Sequence, residues 1–251
     1  MSAPRIVTLV GLLLLIGVFI IAGSHSQQAE PAAKQNPPVI NHTQRLTVVS
    51  AVRNGGELYL ALRNDYTTNI MAYAVSIGDF QFTEDFVWSG FESAGIVPNT
   101  TYEVRIPISN SIKPVNISAA LLADGNGDGN AAILEEIKDQ HLAGRLQIER
   151  ALHLLNDYLK PSASLKVSQL KSQIVIDLNA PEADSLTALR KLQPARQWSS
   201  LSEEARNALE NAKQNVLGDF KNVESAEDVR EELLRLKHHY EVVLRRLSTD
   251  S

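Results

Sequence analysis

The chain has 251 residues, of which 44% are hydrophobic, 21% charged and 6% aromatic, and 24 Lys and Arg against 29 Asp and Glu give a formal net charge of -5. That length supports one large domain or two small ones, and the acidic balance argues against nucleic acid as a partner, because phosphate recognition needs clustered cations. The absence of cysteine excludes a disulfide scaffold, a thiol nucleophile, an iron–sulfur cluster and a cysteine zinc site.

From Ile6 to Gly23 the run IVTLVGLLLLIGVFIIAG carries no charge. As a helix rising 1.5 Å per residue it would be about 27 Å long, close to the ~30 Å hydrocarbon core of a bilayer. Residues 1–23 therefore read as a transmembrane anchor, or as a signal sequence cut at the small residues Ala22-Gly23-Ser24. Arg5 on the amino side places everything after Ser24 outside the cytoplasm by the positive-inside bias. The expected location is the cell membrane, single-pass with the C-terminal part extracytoplasmic, or else secreted or periplasmic. Residues 24–43 are rich in Gln, Ala and Pro, end near Pro37-Pro38 and lack apolar periodicity, so they read as a flexible linker.

Over 44–124 the pattern has period two. Leu58, Leu60 and Leu62 alternate with Tyr59 and Ala61; Met71, Tyr73, Val75 and Ile77 alternate with Ala72, Ala74 and Ser76. Tyr102, Val104, Ile106 and Ile108 form a third row, and Val115, Ile117 and Ala119 a fourth. Turn residues at Asn54-Gly55-Gly56, Asn64-Asp65, Gly78-Asp79, Pro98-Asn99 and Lys113-Pro114 divide the rows, as in a small antiparallel sandwich. Pro107 marks its strand as an edge or as bulged. The expected domain is an immunoglobulin-like β-sandwich, argued from architecture alone because the Cys–Trp–Cys core of antibody domains is absent.

After Gly129 the period becomes helical. Leu134, Ile137, His141, Ile148, Leu152, Leu155 and Leu159 form one face of a long helix ending before Pro161. Four further amphipathic segments carry Leu170 and Ile174, Leu186 and Leu189, Leu209 and Val216, and Leu233 through Leu247. The fourth helix reads as starting at a Ser200–Glu203 capping box, the fifth behind Ser225. The fold class is thus α+β with segregated parts: an N-terminal membrane helix, the sandwich over 44–124, and a C-terminal α-helical domain over 130–248.

The junction holds the sharpest chemical motif. Asp124, Asn126, Asp128, Gly129 and Glu135 match the calcium-loop template D-x-[DN]-x-[DN]-G-x5-E. Oxygen donors at Asp124, Asn126 and Asp128, the carbonyl of Asn130 and a bidentate Glu135 could surround Ca2+, while Gly129 permits the turn. Ala131 departs from the branched aliphatic residue usual there, the entering segment reads as strand, and no second loop exists to pair with it. The other reading is a tight turn whose Asp128 or Asn130 caps the following helix.

The run LLADGNGDGNAAILEEIKDQHLAGRLQIERALHLL resembles a segment of uncharacterised exported proteins of soil bacteria. In them a sandwich-like domain ends in an Asp-Gly strand, a short loop and a long helix; Asp124-Gly125, Gly129, Arg145 and Glu149 fall at comparable places. The resemblance covers about residues 50–159 and implies export and a sandwich-then-helix order.

Neither a zinc-binding HExxH, a nucleophile elbow, a P-loop nor a dinucleotide fingerprint occurs. His141 on the apolar helix face reads as a core histidine, and Arg145–Glu149 as a helical ion pair. The function expected is a membrane-tethered extracytoplasmic binding or scaffold module with an envelope protein partner, non-enzymatic rather than catalytic. The alternatives are a calcium-binding envelope module or an envelope hydrolase using acids such as Asp124 or Asp128.

Overall fold

In the computed structural model the described residues are 36–88, 95–108, 113–160, 166–194, 200–221, 223 and 228–248. The run 1–23, expected to be an anchor or signal, lies outside them. Among the described residues no helix is long and apolar enough to cross a membrane. The strands are β1 (Val39–Asn41), β2 (Leu46–Asn54), β3 (Glu57–Asn64), β4 (Ile70–Ile77), β5 (Phe80–Asp85), β6 (Thr101–Pro107), β7 (Val115–Leu122) and β8 (Gly127–Gly129). A 3-10 turn, Phe86–Trp88, follows β5. The helices are α1 (Ala131–Tyr158), α2 (Val167–Leu178), α3 (Glu182–Leu192), α4 (Glu203–Asp219) and α5 (Val229–Leu247). Together they give a mixed α+β structure.

One sheet is antiparallel in the order β2-β3-β6. The other runs β1-β7-β4-β5, with β8 also antiparallel on β7. β1 pairs parallel with β7 through Val39–Val115, Ile40–Asn116 and Asn41–Ile117. This strand falls inside the stretch that composition reads as linker, because its three exposed residues are held by backbone pairing and show no apolar alternation. Pro107 closes β6, which is indeed an edge strand.

The inner rows of the two sheets share one core. Leu58, Leu60 and Leu62 of β3 and Ile106 of β6 join Tyr73 and Val75 of β4 and Val115 and Ile117 of β7, all of them buried. Burying each such side chain stabilises the fold by about 1.5–3 kcal/mol. The rings of Phe86 and Tyr102 meet edge to face at 5.1 Å, and Tyr73 lies 6.5 Å from Tyr102.

The outer row of β4 and β7 is buried too. Ala72, Ala74, Ala119 and Leu121 pack against Leu134 and Ile137 of α1. A register shift in the β4–β7 pairing makes this possible. Ala74 pairs with Ala119 but Val75 with Ile117, so Ser118 is an extra residue. Beyond that bulge, Ala119 and Leu121 move to the outer row and Ala120 and Leu122 to the inner one. Simple alternation from Val115 places Ala119 on the wrong face.

β8 leads directly into α1. Asn130 caps the helix, its Oδ1 accepting from the N–H groups of Ala132 at 2.9 Å and Ile133 at 3.4 Å. Along α1, Ala143 and Leu146 meet Leu189 of α3 and Leu209 and Ala212 of α4. Ile148, Ala151 and Leu155 join a cluster with Leu170 and Ile174 of α2 and Leu233, Tyr240 and Leu247 of α5. The apolar row of α5 is therefore buried within its own chain. Ser202 caps α4 by accepting from Ala205 N–H at 3.1 Å, two residues past the expected start. Asp228 caps α5, and the expected cap Ser225 lies outside the described residues.

Gly129 has φ +106°, and a Cβ there would sit 2.4 Å from the carbonyl oxygen of Ser118. Gly129→Ala should lower stability by roughly 2–4 kcal/mol through backbone strain and the backbone clash. Urea unfolding checks this, and a loss under 0.5 kcal/mol would mean that the bulge adapts.

Glu84 lies opposite Tyr73 in the β4–β5 pairing. Burial, reinforced by the neighbouring Asp85 carboxylate, holds its carboxyl above the usual range. Among the described residues the buried Tyr73 hydroxyl has no hydrogen-bond partner, and burial together with the Glu84 charge pushes it well above the ordinary phenol value. Between the unfolded and the higher folded value of Glu84, the folded state holds the extra proton, so stability falls as pH rises through that window. Glu84→Gln should remove this fall and raise the melting temperature at pH 7. Superimposable stability–pH profiles for the two proteins would refute it.

Candidate functional site

The residues expected to hold calcium are divided among separate tasks. Asp124 Oδ1 accepts from the N–H of Asn126 at 3.1 Å, closing the turn between β7 and β8. Asn126 is exposed, and its carbonyl accepts from Leu122 N–H at 2.9 Å. Gly127–Gly129 is extended and paired with Ala119–Leu121. The Asp128 carboxylate reaches Gln44 N–H at 2.6 Å and also accepts from the Tyr66 hydroxyl. Asn130 is the helix cap, and Glu135 is exposed on α1, 3.8 Å from Lys138 Nζ. Among the described residues no group of three or more His, Asp or Glu is placed to hold a metal ion. In this structure Asp124 closes a hairpin turn, Gly127–Gly129 pairs with β7 and Asn130 caps α1.

Asp128 joins three segments distant in sequence. Its partners are 84 and 62 residues away, preceding β2 and following β3. Burial and the Asp128 carboxylate push the Tyr66 phenol well above its ordinary value, so it remains a donor at any physiological pH. Nothing local in the sequence marks Gln44 or Tyr66 as partners, since the link exists only once both sheets have formed.

A second polar joint ties α1 to the end of β5. His141 is 2% exposed, and its Nε2 lies 3.1 Å from Asp85 Oδ2. Asp85 also accepts from Val87 N–H at 3.0 Å, fixing the 3-10 turn. The expectation of a core histidine describes this position. Arg145 and Glu149 form the helical pair at 3.0 Å.

The outer face of β2-β3-β6 carries a groove of about 240 Å³ lined by Ser50, Tyr59, Ala61, Glu103 and Arg105. Tyr59 and Arg105 stand directly opposite in the β3–β6 register, and the guanidinium lies 5.0 Å from the ring centroid. The Tyr59 hydroxyl donates to Glu57 at 2.7 Å, which fixes the ring as a platform. Alternation in the sequence already turns Tyr59 and Arg105 away from the core. Their meeting depends on a long connection between β3 and β6 and is not legible locally.

No protein-family model matches the chain, and no curated protein or solved structure is significantly similar to it.

Calcium up to ~10 mM should leave the melting temperature unchanged, because Asp128 and Asn130 already bond protein donors. Asp128→Ala should cost roughly 1.5–3 kcal/mol with or without the ion, the range for a hydrogen bond to a charged group. A calcium-dependent rise that Glu135→Gln abolishes would instead establish the metal site.

Proposed function

We propose that the chain is a membrane-tethered extracytoplasmic module that binds a protein partner in the cell envelope, with an immunoglobulin-like sandwich as its binding domain. The tether is supported by the uncharged run from Ile6 to Gly23. The sandwich is supported by strand order: β2-β3-β6 and β5-β4-β7 share a core, and the chain changes sheet between β3 and β4, β5 and β6, and β6 and β7.

The observation that carries the binding reading is the unequal treatment of the two outer faces. α1 covers one with Leu134 and Ile137, whereas the other presents Tyr59 and Arg105 around an open groove. Tyr and Arg are the side chains that most often anchor protein interfaces, since each offers a broad rigid surface with a polar end. Glu57 and Glu103 flank the pair with the opposite charge, which suits a partner surface of mixed sign.

Fractionation and capture test the two halves of this reading. The protein should sediment with membranes and keep an N-terminus at Met1; a soluble chain beginning near His25 would remove the tether. From detergent-solubilised envelopes, the wild-type chain should retain a protein that Tyr59→Ala with Arg105→Glu loses by about tenfold or more, as hot-spot losses above 1.4 kcal/mol predict. Undiminished capture by a folded double variant would exclude the groove.

A further inference from the structure

Strand β6 is the free edge of its sheet: among the described residues it pairs with β3 alone. The register with β3 runs without a break from Thr101 to Pro107. Ile108 N–H donates to the Gly56 carbonyl at 2.8 Å, and Asn64 N–H to the Thr100 carbonyl at 3.1 Å. Even-numbered residues therefore turn their backbone groups toward β3. Thr101, Glu103 and Arg105 aim N–H and C=O away from the sheet, and Pro107 aims a carbonyl alone. A row of open backbone groups of this kind is a template for another strand.

The side chains on that row specify which strand fits. Glu103 and Arg105 are exposed, lie two residues apart on the outer face and form no ion pair among the described residues. When a second β6 runs antiparallel with Val104 on the twofold axis, Glu103 of each copy stands opposite Arg105 of the other. In the registers on either side, Glu103 or Arg105 meets its own like-charged counterpart, which is unfavourable. The same pairing sets Val104 against Val104 and Tyr102 against Ile106 on the inner face. It covers Val104 and Tyr102, which in one copy are only half-buried against the core. Both faces thus keep their polarity across the seam, and each Glu103–Arg105 pair exchanges two backbone hydrogen bonds. Pro107 falls opposite Thr101, at the end of the paired stretch, where its missing N–H removes one terminal bond.

The other free edges do not fit copies of themselves. β5 ends in Glu84-Asp85 and contains no cation, β2 has a register break between Val48 and Ser50, and β1 is three residues long. We infer that two copies of this chain associate through their β6 edges, joining the β2-β3-β6 sheets into one continuous sheet with twofold symmetry. The inference rests on the reading of the Tyr59–Arg105 face as a protein-binding surface and names its partner. Arg105, stacked on Tyr59, carries the outer row on to Glu103 of the second copy.

Sedimentation equilibrium of the full chain in dodecylmaltoside micelles should show dimers. Glu103→Arg and Arg105→Glu each set like charges opposite one another and should weaken association about tenfold, as two cross-strand pairs change from attractive to repulsive. The double exchange, and an equal mixture of the two single variants, should restore it. Because the chain has no cysteine, single replacements read the register. Val104→Cys opposes itself in a non-hydrogen-bonded pair with Cα atoms ~4.5 Å apart, within disulfide range, and should cross-link on oxidation. Thr101→Cys, opposite Pro107, should not. A monomeric chain, single variants that associate like the wild type, a double exchange that fails to restore association, or cross-linking by Thr101→Cys in place of Val104→Cys would overturn the inference. A monomer that still captures another envelope protein through Tyr59 and Arg105 would overturn it and leave the broader reading standing. Failure of both self-association and capture would remove both.

Discussion

Both faces of the β4–β7 pair must be buried at once, and the rest of the architecture follows from that constraint. The inner face meets the three-stranded sheet through Tyr73, Val75 and Ile117, and the outer face meets α1 through Ala72, Ala74, Ala119 and Leu121. Alanine on the outer row lets the helix approach closely, while larger residues on the inner row fill the wider gap between sheets. The bulge at Ser118 reconciles these demands within one strand, and Gly129 accommodates the bulge at a φ that other residues resist. α1 has 28 residues, about 42 Å of helix at 1.5 Å per residue, and so extends beyond the sheet that seats its first turns. The remaining length serves as the surface on which α2 to α5 assemble.

Apolar packing leaves helices free to slide in small steps, and polar joints remove that freedom. His141 bonds Asp85 at the end of β5, Arg246 of α5 donates to the Val87 carbonyl at 3.1 Å, and Asp128 holds the segments beside β2 and β3. Breaking one of the part-buried joints leaves its partner without that bond, at about 1–3 kcal/mol. Displacing α1 by one residue would strand His141. Gly144 adds a steric stop, because a Cβ there would come within 2.6 Å of the Trp88 ring. Helices and sheets are thus locked by a few specific contacts on a broad apolar interface.

The alternating rows of β3, β4 and β6 and the helical periods after Gly129 are legible in the sequence because each strand or helix writes its own burial pattern. Three features are not. β1 is held by backbone pairing that leaves no side-chain pattern. The bulge changes the face of Ala119 without altering residue types, so the row from Val115 reads as continuous. Asp128 illustrates the third: the motif from Asp124 to Glu135 is defined by neighbours, whereas the atoms that engage Asp128 come from Gln44 and Tyr66. A local template cannot represent competition from distant donors. Tyr59 and Arg105 show the same limit, since their outward direction is local and their pairing is not.

The groove on the outer face of β2-β3-β6 depends on short-range forces. Around the groove two carboxylates, Glu57 and Glu103, stand with one guanidinium, Arg105, and charges on an open face are screened beyond the ~8 Å Debye length of physiological salt. Long-range steering at that face is therefore weak, despite a chain charge of -5. Affinity there has to come from short-range burial of the Tyr59 ring and the stacked guanidinium, which requires a partner surface of matching shape. Salt should thus perturb binding at the groove little, and changes of shape or of donor and acceptor placement should perturb it most.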